Sequence, residues 1–317
     1  MIWVVWKGMP TLACAGRRGQ WAGWMAVCLI GGLVRSAALA ADGAEVPAEA
    51  QAAAAGMAYE LRMLTEPRVV RAHVLRVNLA AGGLSLAVLM APDPDGAGPA
   101  EAALTDPRLL AVGSDVLAFV NANPWDGFPD AQGVKDRAWR ENQPVTITGW
   151  AVSNGLVRSA SAPRGTGAVW MDANGRVSIG SAPASNDAVM AAVEGWGQIV
   201  KDGVVLRKPG GMPAPRTGLG VDPAGGILWI VVTDGRQEGF SDGMTIYELA
   251  LFMRDLGCWS AAVMDGGGSS VLGMRQADGA LKIMNSPSDR FLGLARVRPL
   301  PLVLAVRRAP ATGSGSP

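Results

Sequence analysis

From residue 69 to residue 306 the chain is a succession of short apolar runs cut by turn signals, and that pattern limits its fold more than any other feature. Runs rich in Val, Ile and Leu, bounded by Gly, Pro, Asn and Asp, read as strands. Residues 69–77 and 84–90 flank Ala-Ala-Gly-Gly, which predicts a hairpin. Residues 115–121 read as a buried strand, and 144–150 alternate like a half-exposed one. Ala173-Asn174-Gly175 separates 168–172 from 176–180, and Lys201-Asp202-Gly203 separates 197–200 from 204–206. A turn at 222–226 separates 217–221 from 227–233, and the last strand is predicted over 294–306. Helical signals are few: a short turn at 101–104, a short helix at 186–193, and one amphipathic helix at 245–256. In that helix Ile246, Leu249, Ala250, Met253 and Leu256 share a face, and Gly257 ends it. The expected class is α+β, with mixed, largely antiparallel sheets and a few helices in a single domain.

The start of the chain reads as an address. Residues 1–40 hold Lys7, Arg17, Arg18 and Arg35 but no acid, then an apolar run at 21–34, then Ala38-Leu39-Ala40. Basic start, short apolar core and small-x-small end predict a signal peptide cleaved near Ala40-Ala41. The product is expected to be periplasmic or secreted, with no stable membrane span, because the run is short of the ~20 residues that spanning takes. Residues 41–66 read as a linker, 67–306 as the domain and 307–317 as a disordered tail. A hydrophobic fraction of 49% with 17% charged residues is that of a globular chain. Without residues 1–40 the chain keeps 24 basic against 27 acidic residues, which excludes a basic footprint for nucleic acid. Only Cys258 then remains, so no intrachain disulfide can form, and it reads as packing rather than as a nucleophile. The single histidine, His73, excludes HExxH and His-rich zinc sites. It reads as a structural histidine in a strand far from the motifs below.

Chemistry concentrates between Pro215 and Ser270. The small apolar strand 261–264 delivers Asp265, followed by Gly266, Gly267, Gly268, Ser269 and Ser270. Consecutive glycines can turn several backbone N–H groups onto an anion, and the serines add hydroxyl donors. The plainer reading is a flexible turn. Thr233-Asp234-Gly235-Arg236 repeats the plan at the end of a long apolar strand. Arginine suits a phosphate, although an Asp-Gly turn with a solvated arginine has the same sequence. Arg216, beside Thr217 at a strand start, reads equally as a second phosphate contact or a surface residue. Thr245-x-x-Glu248 is a capping box, so Glu248 has a structural reading beside a catalytic one. Asn121 and Asn123 follow a buried strand and suit sugar hydroxyls or a turn, and Trp125 and Phe128 suit a sugar face or the core.

In this order the segments PRTGLGVD, TDGR, GMTIYELALFMRDLG, MDGGGSS and NSPSD resemble the phosphodiester glycosidase family. The resemblance spans roughly residues 68–306 and is strongest over 215–289. It departs at 121–125, where the family's Asn-Gly-Gly-Phe-like segment reads Asn-Ala-Asn-Pro-Trp. What it implies is hydrolysis of a GlcNAc-1-phosphodiester-like bond in envelope or exopolysaccharide glycans. The catalytic set it implies is Asp234, Asp265 and Glu248. The substrate set is Asn121, Arg216, Thr217, Arg236, Gly266, Gly267, Gly268, Ser269 and Ser270. A phosphate ester leaves as an anion, so the site needs less of a general acid than an ordinary glycosidase with its two carboxylates. No cofactor is required, and the acids would accommodate a divalent cation. The expected partner is a glycan or sugar phosphodiester. Two other classes share these residues: a non-catalytic envelope protein that binds anionic glycans, and a phosphodiesterase that cuts the P–O bond.

Overall fold

The computed structural model describes residues 56–159 and 165–309. The predicted signal peptide, the linker up to residue 55 and the tail from residue 310 lie outside them. The described chain is mostly β, a correction to the α+β expectation: its α-helices are Pro107–Leu110 and Ile246–Asp255. The strands pair antiparallel throughout.

The largest sheet runs Met57–Leu64, Val70–Asn78, Ile227–Thr233, Arg216–Val221, Ser260–Val263, Gly197–Lys201 and Val204–Val205. Its central strands are apolar on both faces because both are covered, which is why they read as runs rather than as alternations. Val70, Ala72, Val74, Trp229 and Val231 pack with Leu249, Ala250 and Met253 of the helix Ile246–Asp255. Leu75, Val77, Leu228, Ile230 and Val232 turn the other way, into a core shared with Val88, Val120 and Leu304. Those three belong to a five-stranded sheet of Leu281–Ile283, Leu272–Arg275, Val116–Asn121, Leu302–Arg308 and Leu84–Met90. A second five-stranded sheet is built around Ala168–Asp172 and Val189–Glu194. The helix seats closely because two strand positions lack a Cβ. One on Gly218 would lie 2.5 Å from Met253 Sδ, and one on Gly220 would lie 2.4 Å from Cys258 Sγ. Cys258 is buried, and burial pushes its thiol up to about 12, as packing requires.

Several expectations are corrected. The helix predicted at 186–193 is the strand Val189–Glu194, buried except at Met190: Ala191 and Val193 join one core and Val189 and Ala192 another, so both faces are covered. Val70–Asn78 and Leu84–Met90 are no hairpin but lie in different sheets. After Asn78 the N–H groups of Leu79 and Ala80 bond Gly226 O, which draws the chain to the strand Ile227–Thr233. The stretch read as linker ends early, because Met57–Leu64 is a full strand registered on Val70–Asn78. The Ala-rich residues before it masked that strand's alternation. The turn at 101–104 holds the short strand Ala102–Ala103. The final strand is Leu302–Arg308, reaching past 306 into the expected tail, and Pro299 and Pro301 separate it from Leu294–Ala295. No helix among the described residues is long and apolar enough to cross a membrane.

Candidate active site

Three neighbouring strands of the large sheet end together. Arg216 pairs with Thr233, and Gly218 pairs with Val263. The strands Ile227–Thr233 and Ser260–Val263 therefore run the same way on either side of Arg216–Val221. Their exits carry Asp234 and Asp265 to one edge, where Arg216 begins the strand between them. The two acid-glycine exits seen in the sequence thus face one another across Arg216.

Asp265 follows the strand Ser260–Val263 at this edge. Its N–H bonds Ala122 O at 2.9 Å, and its own backbone oxygen accepts from Asn121 Nδ2 at 2.8 Å. The residue is partly buried, and this burial pushes its carboxyl above the ordinary carboxylate range. Bonds from Ser269, the Gly266 N–H and the Trp196 indole, with the nearby Arg298 charge, oppose the rise without cancelling it. Gly267–Ser269 is one 3₁₀ turn. Its glycines serve close approach more than anion binding, a correction to the expected nest. Gly266 N–H goes to the Asp265 carboxyl, Gly267 N–H to Pro215 O, and Ser269 and Ser270 N–H to Gly266 and Gly267 O. A Cβ on Gly267, at φ +62°, would lie 3.0 Å from Arg236 Nη1. One on Gly268 would fall 1.9 Å from Asp289 Oδ1 and 2.1 Å from Arg298 Nη2. The Ser270 hydroxyl is buried without a hydrogen-bond partner.

Two guanidinium groups flank this turn. Arg216 donates Nε to Met244 O at 3.0 Å and Nη2 to Met212 O at 2.9 Å. Its pKa is lowered by burial and by the like charge of Arg236. Arg236 holds a left-handed backbone, φ +57°, which a side chain adopts at a cost of about 1 kcal/mol. Neither arginine forms an ion pair among the described residues. Two guanidinium groups without an ion-pair partner among the described residues, beside a close-packed turn, are chemically suited to hold an anion.

The other sequence candidates are placed differently. Asp234 is 1% exposed and both its oxygens are engaged. Oδ2 meets His73 Nε2 at 3.1 Å, and Oδ1 accepts from Ser286 N at 2.6 Å. His73 is therefore not remote from the motifs, which corrects the sequence reading. A carboxylate only accepts, so His73 Nε2 carries a proton, and in the neutral ring Nδ1 accepts from Tyr59 Oη at 2.9 Å. Glu248 completes the capping box with Thr245 and pairs with Arg68 at 2.6 Å. Burial raises its carboxyl, but Arg68 and the cap outweigh that and hold it below the usual range. Asn121 and Thr217 are spent on each other: Asn121 Oδ1 accepts from Thr217 Oγ1 at 2.7 Å and from Val271 N at 3.0 Å. They clasp the site rather than offering groups to a ligand. Trp125 packs into the core and edges onto Trp139.

Arg298, Asp289 and Trp196 were not anticipated. Arg298 forks onto Asp289 at 2.8 and 2.9 Å and gives its third nitrogen to Ser269 Oγ at 3.2 Å. Ser269 thereby links this pair to Asp265. Among the described residues no three His, Cys, Asp or Glu side chains gather as metal ligands.

A family model for phosphodiester glycosidases matches residues 119–307, and the chain belongs to that family. The span includes Arg216, Asp234, Arg236 and the Asp265 turn but not His73. No curated protein matches. Among solved structures, one neighbour is the zebrafish N-acetylglucosamine-1-phosphodiester alpha-N-acetylglucosaminidase catalytic domain, auto-inhibited by pro-peptide. Its TM-score is 0.59 at 18% identity, covering 80% of this chain and 83% of that one. Another is a Burkholderia pseudomallei protein whose name calls it exported, with TM-score 0.54 and 16% identity, covering 75% and 74%. At these identities the likeness is one of fold.

Proposed function

We propose that this protein is a secreted hydrolase that cleaves a sugar-1-phosphodiester of the GlcNAc-1-phosphodiester kind, in envelope or exopolysaccharide glycans. The observation that carries the reading is the pair of unneutralised guanidinium groups, Arg216 and Arg236, set against the glycine turn that presents Asp265. The arginines hold the phosphate of the diester. Asp265 takes a proton from water as its oxygen attacks the anomeric carbon. The C1–O bond breaks as the new bond forms, and its electron pair leaves with the phosphate monoester. A carboxyl whose pKa is raised is a stronger base than a free one, which suits this role. Developing negative charge on the leaving oxygen falls to the arginines, so no separate strong acid is needed. No step is routed through a divalent cation. The family supports hydrolase chemistry on a phosphodiester at a coarse level, and the exported relative supports the secreted part.

The bond that breaks is the test. With a GlcNAc-1-phosphodiester in ¹⁸O-water, the label is expected at C1 of the released sugar, read by mass spectrometry. Label in the phosphate would mean P–O cleavage and a phosphodiesterase. Saturable binding without turnover would leave a glycan-binding protein.

A further inference from the structure

We propose that the hairpin of Arg290–Phe291 and Leu294–Ala295 docks this protein on an anionic lipid surface, its apolar tip entering the headgroup layer and its arginines meeting the lipid phosphates. The hairpin pairs only with itself, Phe291 opposite Leu294, and belongs to none of the larger sheets. Every residue from Arg290 to Ala295 is exposed, Phe291 to 63%, Leu292 to 87% and Leu294 to 75%. Among the described residues no other stretch of this length exposes three large apolar side chains. The turn is made by Leu292 at φ +49° and Gly293 at φ +79°. Both central residues of such a two-residue turn are left-handed, and Asn, Asp or Gly normally fill the first. A leucine there sets an apolar side chain at the tip in spite of the backbone strain.

The flanks of the tip are basic. Arg290 and Arg296 form no ion pair among the described residues. Their guanidinium groups bond neutral oxygens, Arg290 to Gln237 Oε1 at 2.6 Å and Arg296 to Trp139 O at 2.8 Å. Arg108 and Arg140 line one groove with Phe291, Leu294 and Arg296, but Asp106 and Asp136 pair with them and Glu141 stands beside them. The hairpin's own two cations therefore keep their charge for a partner. An anionic bilayer complements this arrangement, because the apolar side chains leave water while the arginines meet phosphate. A second copy of the chain fits it less well. Three side chains fall far short of the roughly 800 Å² that each partner gives to a stable interface. The candidate site lies at the base of the hairpin. Arg296 N–H bonds Asp289 O at 2.8 Å, and Asp289 forks with Arg298, which reaches Ser269. Docking thus holds the end of the sheet that carries the site beside the lipid.

Vesicle flotation tests the docking, with the full chain and with the chain from Ala41 on, so that binding through the apolar run at 21–34 is told apart from binding through the hairpin. The vesicles are phosphatidylglycerol and phosphatidylcholine in equal parts, or phosphatidylcholine alone. One variant combines Phe291→Ser with Leu292→Asn, the other Arg290→Gln with Arg296→Gln, each first checked for an unchanged melting profile. Asparagine suits the left-handed turn, so the first variant removes the apolar tip and keeps the hairpin. The wild type from Ala41 on is expected to float with the anionic vesicles and more weakly with the neutral ones. The apolar variant is expected to partition at least about tenfold less. The arginine variant is expected to lose about fivefold for each charge, on the anionic vesicles alone. Flotation of the full chain only, or equal flotation of the apolar variant and the wild type, would overturn the docking. So would a dimer, read by sedimentation velocity, that the apolar variant abolishes, because the tip would then face a second copy. Hydrolysis of a soluble GlcNAc-1-phosphodiester is followed in parallel and is expected to be equal in the wild type and the apolar variant. If the wild type floats through its tip but hydrolyses nothing, the hydrolase reading fails and the docking stands. If the diester is hydrolysed and nothing floats, the docking fails and the hydrolase reading stands.

Discussion

Replacing Asp265 by asparagine is expected to lower kcat by at least about 10³-fold, the range for loss of a positioned base, while inorganic phosphate still binds. The amide fills the same space and cannot take a proton. In the wild type, kcat/KM falls on the acid side as Asp265 becomes protonated. Because its carboxyl is raised, that limb lies above the ordinary carboxylate value of about 3.9. Stability should move the other way. A carboxyl with a raised folded pKa binds its proton more tightly in the folded state than in the unfolded one. The folded state therefore loses stability as pH rises from the ordinary value through the raised one. Asp265→Asn removes that penalty, so the variant should melt at or above the wild-type temperature at neutral pH, with the gap closing at low pH. A variant that keeps full turnover, or is less stable at neutral pH, would take Asp265 out of the role given to it.

The second large effect concerns the other strand-end acid. Asp234→Ala leaves the buried His73 Nε2–H and the part-buried Ser286 N–H unpaired. Orphaning these two donors, one of them buried, is expected to cost roughly 2 kcal/mol of unfolding free energy, read from the midpoint of a urea titration. Asp234→Asn keeps one accepting oxygen and should fall between. Catalysis should suffer less than in Asp265→Asn, and through KM. Asp234 holds Ser286, close along the chain to Asp289, whose fork with Arg298 braces Ser269. Wild-type stability with kcat abolished would instead make Asp234 a participant in the reaction.

What could be read from the sequence, and what could not, follows from distance along the chain. The exits at Asp234 and Asp265 were visible because a strand and the polar turn after it are adjacent in sequence. Arg236 and Ser269 came with them. That the exits meet depends on the strand Arg216–Val221 lying between, which spacing hints at but does not state. His73 was misplaced for the same reason. Its contact with Asp234 comes from the pairing of Val70–Asn78 with Ile227–Thr233, in which His73 sits opposite Val232. Asn121 and Thr217 show a different limit. A polar residue ending a buried strand looks alike whether it waits for a ligand or bonds a neighbouring strand. Trp196 was missed because the strand before it was taken for a helix, which put the Glu-Gly-Trp-Gly segment in the wrong place.

The clasp at Asn121 has a consequence for how such a protein fails. Asn121 belongs to one sheet, yet it is bonded to Thr217 in another, to Val271, and to the backbone of Asp265. The acid is thus anchored across the seam of the core and not on a separate lid. Such a site cannot melt ahead of its scaffold. Heat inactivation and loss of the fold become a single event, and whatever stiffens the seam prolongs the working life of the enzyme.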